Sequence, residues 1–256
     1  VDWEASLAQA RGGVESLLGL ELIEHPHLLA SVPVSVVLTT HNDSATLPEV
    51  IARVPDGVQE LVVVDRHSED GSATRARQLW PGASVLELGV EERGVALAAG
   101  LRSSTGEIVV TLAADGSSDP GEIPRFVAAL LTGADFAKGT RFVAGGGSTH
   151  LTPARRLGHL ALSGAFNRLW PVHYSDVCYG YVAFWRRHVP DLVPDRSGAE
   201  GALLVNIRAV KARLRIVEVP SFERGWIQRP SQPAALEVGR VGLRLLRTIV
   251  AERVRP

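Results

Sequence analysis

The chain has 256 residues, one cysteine, and 27 basic against 28 acidic side chains for a net charge of −1. That balance excludes a general nucleic-acid or polyanion binder, so any anion must be held locally. Cys178 alone excludes an internal disulfide and a clustered Cys/His zinc site, which suits a cytoplasmic protein.

In chain order, Trp3, Leu7, Ala10, Val14, Leu17 and Leu18 recur at helical spacing, which predicts an N-terminal helical appendage over residues 1–30. His25-Pro26-His27 reads as a loop. Val32 to Thr40 is the first strong strand, followed by His41-Asn42-Asp43-Ser44 and a helix over Leu47 to Val54. Leu61 to Val64 repeats the plan, with an acid- and serine-rich loop from Asp65 to Ser72 and a helix to Trp80. Two strand-acid-helix units imply a parallel sheet with right-handed crossovers, which puts both loops at one edge. Ala83 to Leu88 is a third strand, and Arg93-Gly94 opens a helix of small residues able to pack closely on the sheet.

Ile108 to Leu112 reads as a central strand buried on both faces, and Asp115 follows it into the crevice where open α/β sheets bind ligands. Asp119-Pro120 has the form of a helix cap. Asp65 either meets a ribose or base, or caps the next helix; Arg93 either meets a phosphate or is merely solvated. Ala134 to Arg141 is a fifth strand with a basic end, before the glycine-rich Gly145 to Ser148 and a helix from Arg155-Arg156 to Trp170. Lys138, Arg141, Arg155 and Arg156 around one glycine loop suggest a bound phosphate. Asp176 orients either a ligand or that arginine group. Val182 to Trp185 and Leu214 to Phe222 read as strands, with a helix from Glu200 to Ala212 between them and a loop from Glu223 to Pro233 after. Residues 236–256 read as a basic amphipathic helix that either lies on an anionic membrane surface or packs on the domain. No apolar run approaches the roughly 20 residues that span a bilayer, and no signal-peptide layout stands at the amino end, so a soluble or membrane-peripheral protein is expected.

VSVVLTTHND, ELVVVDRHSEDGSA, ERGVALAAG, AADGSSDPGEIP, GADFAKGTRF with GGGS, SDVCYGYVAFWR and LRIVEVPSFER occur in that order. Together they resemble glycosyltransferase family two, close to the polyprenyl-phosphate (dolichol-phosphate) mannose and glucose synthases. The resemblance implies an α/β GT-A fold, a Rossmann-like, mostly parallel sheet with flanking helices, as a domain over residues 31–235. It also implies a nucleotide-sugar donor such as a UDP- or GDP-hexose, a polyprenyl phosphate or other small acceptor, and Mg²⁺ or Mn²⁺. Carried over by position, Thr39, Asp43, Asp65, Arg93, Asp115 and Arg141 would bind the nucleotide sugar. Asp115 would contact the metal, and Asp115, Arg141 and Arg155 would carry catalysis. Arg156, Asp176 and His150 would serve the acceptor side, with His150 or His159 as a possible new base. Ala113 stands where the family has the first acid of its Asp-x-Asp motif, and Arg66 where a small or acidic residue is common. Metal binding is therefore expected to be weak or nucleotide-dependent. The alternative is a catalytically degenerate or repurposed nucleotide-sugar-binding protein.

Overall fold

The computed structural model describes residues 27–194, 201–224 and 235–255. The helix expected in residues 1–20 lies outside these, as does most of the loop expected up to Pro233. In order the elements are α1 (His27–Ala30), β1 (Val34–Thr40), α2 (Leu47–Ala52), β2 (Glu60–Arg66), α3 (Ser72–Leu79), β3 (Ser84–Leu88), α4 (Arg93–Ser103) and β4 (Ile108–Ala113). A 3₁₀ turn at Pro120–Glu122 leads into α5 (Ile123–Leu131), β5 (Phe136–Thr140), β6 (Gly147–Ser148), α6 (Pro153–Leu169) and β7 (Val182–Trp185). The remainder is α7 (Val189–Leu192), α8 (Gly201–Lys211), β8 (Ile216–Pro220), β9 (Phe222–Glu223) and α9 (Ala235–Val254). His27, expected in a loop, begins α1.

The main sheet has the order β3-β2-β1-β4-β7-β5-β8. Only β7 runs antiparallel to its neighbours, so the other six strands end at one edge. Side chains of period two fill both faces. Val36, Leu38, Leu61, Val63, Ile108 and Val110 pack into one core; Val37, Val62, Val64 and Val109 pack into the other. The close approach expected of α4 is realised at Gly100, where a Cβ would stand 2.4 Å from a Val37 methyl. Larger side chains there would push α4, and with it Arg93, off the sheet. Chain order reverses between β1 and β4, so the crevice opens at their carboxyl ends, at the switch point of the sheet.

A third core joins Phe166, Trp170, Tyr174, Leu203, Ile207 and Ile249. Ile249 is wholly buried, and the Glu252 carboxylate next to it on α9 meets Lys211 at 3.2 Å. The carboxyl-terminal helix thus packs on α6 and α8, while Leu243, Val250 and Val254 on its other side stay exposed. Ile249→Ala should cost about 2–5 kcal/mol of stability by leaving a cavity. Urea unfolding should show a lowered midpoint at an unchanged slope; an unchanged midpoint would mean that α9 adds nothing to the core.

Candidate active site

The switch-point edge carries a cleft of about 590 Å³. One wall comes from the loops after β1, β2 and β4. Asp43 follows β1, and its carboxylate accepts from Thr40 Oγ1 at 3.1 Å and His41 N–H at 2.8 Å. Burial pushes its pKa up, against the His41 bond that lowers it, and the nearby Asp115 charge adds to the rise. Asp115 is half-buried after β4, with Oδ1 accepting from Ser117 N–H at 3.0 Å. Thr39, Ala113 and the exposed Arg93 line the same wall.

The loops after β1 and β2 are tied together by short polar side chains. Asn42 N–H donates to Ser68 Oγ, Ser44 N–H to Asp70, Glu69 N–H to Asn42 Oδ1, and Asp43 N–H to Ser72 Oγ, all at 2.8–3.0 Å. Asp70 also accepts from Ser72 N–H at the start of α3. Asp65 departs from expectation. It is 3% exposed, accepts from Ser68 N–H at 2.8 Å and does not line the cleft. The left-handed turn at His67 (φ 59°) folds the loop back over it, and Arg66 faces the cleft in its place.

The opposite wall is built on Arg141, at the end of β5. Its Nε and Nη2 hold the fully buried Asp176 at 2.6 and 3.0 Å, and its Nη1 meets Glu223 of β9 at 3.1 Å. The guanidinium lies 4.8 Å over the Tyr179 ring. Burial works to raise the pKa of Asp176, but the Arg141 fork outweighs it and holds the carboxyl low. Asp176 therefore orients the arginine rather than a ligand. Lys138 is a correction too: its ammonium is wholly buried and donates to the Gly139, Asp176 and Tyr179 carbonyls, so it cannot meet a phosphate.

On α6, Arg155 and His159 line the cleft together because residues four apart share a helix face. Arg156 turns away, exposed beside Phe142, and His150 is exposed and lies off the cleft lining. These two expected acceptor residues are not brought into the site. Burial, with the Arg141 charge second, pushes the His159 pKa down to about 4, and its Nδ1 is buried without a partner. It is neutral at pH 7. Burial pushes the Cys178 thiol up to about 12, which removes it as a nucleophile. Glu223 was not recognised in the sequence; the signal was an acid closing the last strand run.

Among the described residues no three His, Cys, Asp or Glu side chains converge as a metal site, and no helix is long and apolar enough to cross a membrane.

The model of the family described as glycosyl transferase family 2 matches residues 35–192. A Mycobacterium tuberculosis protein described as an uncharacterized glycosyltransferase is 38% identical over 196 residues, 75% of this chain and 85% of that one. Polyprenol monophosphomannose synthase of Mycolicibacterium smegmatis is 30% identical over 201 residues, 72% and 75% of the two chains. Glucosyl-3-phosphoglycerate synthase from Mycobacterium tuberculosis, solved with Mn²⁺, uridine diphosphate and glucosyl-3-phosphoglycerate, superposes with a TM-score of 0.71 at 25% identity, covering 93% of this chain and 86% of that one.

Arg141→Ala should destabilise the protein by about 3–5 kcal/mol, because it strands a buried carboxylate; a loss under 1 kcal/mol in urea unfolding would show that the pair is not needed. For His159 the folded value lies below the ordinary 6.5, so the unfolded chain binds the extra proton first. Its contribution is complete above pH 6.5 and is lost as pH falls toward 4. His159→Gln should flatten the stability profile in that window.

Proposed function

The chain belongs to glycosyl transferase family 2, and from that premise we propose that it transfers a hexosyl group from a UDP- or GDP-hexose to a polyprenyl phosphate. The observation that carries the reading is the juxtaposition, across one cleft, of a wall holding Asp43 and Asp115 beside Arg66 and Arg93 with a facing wall holding Arg141 and Arg155. Such a cleft suits two anionic substrates with a sugar between them.

Thr39 and Asp43 take the nucleoside, Arg93 the diphosphate, and Asp115 the sugar-diphosphate junction. Arg155, beside the oriented Arg141, takes the acceptor phosphate. An acceptor phosphate oxygen bonds to the anomeric carbon from one side as the bond from that carbon to the β-phosphate oxygen breaks, its electron pair leaving with the diphosphate. The sugar carbon is inverted. The acceptor oxygen is already anionic, so no general base is required, which agrees with a neutral His159 and an exposed His150. When Mg²⁺ or Mn²⁺ is bound with the nucleotide, it offsets charge on the leaving diphosphate.

Two observations support a lipid rather than a soluble acceptor. Leu157 and Leu160, on the same helix as Arg155, are 69% and 43% exposed. Alongside, α9 exposes Val241, Leu243, Leu246 and Val250 among Arg240, Arg244 and Arg247, a pattern suited to an anionic membrane surface. The named polyprenol relative points the same way. Retention of Asp115, Arg141 and Arg155 favours a transferase over a binding protein that has lost turnover.

The test is transfer from labelled UDP-glucose, GDP-mannose and related donors to polyprenyl phosphate in anionic vesicles, with 3-phosphoglycerate as the soluble competitor. Labelled lipid should form, and Asp115→Asn should lower the rate by roughly 100-fold or more. Transfer only to 3-phosphoglycerate would overturn the lipid acceptor, and no transfer or donor hydrolysis would favour the binding protein. Ala113→Asp should tighten Mn²⁺ in the presence of nucleotide, because a second carboxylate joins Asp115; unchanged Mn²⁺ affinity would remove Asp115 from the metal.

A further inference from the structure

Arg66 lines the nucleotide wall and has no part in the transfer scheme above. It ends β2, half-buried, with Nη1 donating to the Glu91 carbonyl at 2.6 Å. Its Nε is closed off from solvent and donates to nothing. Among the described residues no carboxylate pairs with it. Burial and then the neighbouring Arg93 charge hold its pKa below the ordinary value, while Asp43 and Asp115 act in the opposite direction. Two guanidiniums thus line one wall, Arg93 exposed and Arg66 half-buried with an unmet donor. That arrangement is costly until an anion with several oxygens lies between them. The planar fork matches phosphate, and anchoring through Nη1 orients it before the ligand arrives. The same two charges repel a divalent cation approaching Asp115.

We propose that Arg66 and Arg93 form a diphosphate subsite that holds the donor's nucleoside diphosphate without a divalent ion, Arg66 acting as the built-in cation of the nucleotide wall. The proposal rests on the donor reading above and deepens it. Metal then adds to a nucleotide already in place and is not a condition of its binding.

The test is calorimetry of UDP and GDP with the full chain, in EDTA and in Mn²⁺, for the native protein, Arg66→Ala, Arg66→Lys and Arg93→Ala. The native protein should bind at least one of the two nucleotides in EDTA. Arg66→Ala should weaken that binding roughly 10- to 100-fold but cost much less in Mn²⁺, and should tighten Mn²⁺ on the nucleotide-bound protein. Arg66→Lys should recover part of the EDTA affinity. Arg93 is exposed, so Arg93→Ala gives the same shift without risk to folding and decides the matter should Arg66→Ala fail to fold. Native binding seen only with Mn²⁺ would overturn this inference and leave the donor reading standing. Arg66→Ala that changes nothing, or weakens binding equally in both conditions, would also overturn it. No binding of either nucleotide in either condition would remove the donor reading and this inference together.

Discussion

The Arg141–Asp176 pair is the contact on which one wall of the cleft depends. Three separate parts of the chain meet at it: the end of β5 through Lys138 and Arg141, the turn before β7 through Asp176 and Tyr179, and β9 through Glu223. Taking two charges out of water is unfavourable, and the pair persists because the fork satisfies both carboxylate oxygens. The arrangement is complete before any ligand arrives. Arg141 has its charge offset by Asp176 and Glu223, so it contributes a fixed direction more than net attraction.

The two walls are built by different means. The Asp43–Asp115 wall hangs on the ends of β1, β2 and β4, all parallel and registered through β1, where Thr39 pairs with Val64 on one side and Ala113 on the other. The Arg141 wall belongs to β5, β9 and α6, joined to the first half by β7. Because β7 alone runs the other way, its beginning lies at the functional edge, and the segment from Asp176 to Tyr181 enters the sheet there. One reversed strand brings the two halves of the cleft to face each other.

Much of this was legible in the residues. β-branched runs located the strands to within a few positions, and repeated strand-acid-helix units implied a common edge for the loops. Asp115 stood out because no helix begins beside it. What failed depended on contacts distant in sequence. Lys138 and Arg141 read as one basic cluster facing a phosphate, yet both turn to the segment before β7, where Lys138 is consumed by main-chain carbonyls and Arg141 by the Asp176 carboxylate. Asp65 read as a ligand because it ends a strand; the left-handed turn at His67 gives its carboxylate to Ser68 and passes the cleft to Arg66. Arg155 and Arg156 were both expected at the site, although helix geometry lets only Arg155 line the cleft. The association of α9 with α6 and α8 rests on Ile249 and Glu252, whose partners lie some forty or more residues away.

The tied loops after β1 and β2 set a limit on how this chain can diversify. Surface loops ordinarily absorb insertions because little of their backbone is committed. Here the amides of Asn42, Asp43, Ser44 and Glu69 are each spoken for by a side chain of the other loop. Lengthening either loop by one residue would shift its donors past their acceptors and undo bonds in both. Change at this wall is therefore confined to exchanges of side chain at constant loop length, while changes of length must accumulate elsewhere along the chain.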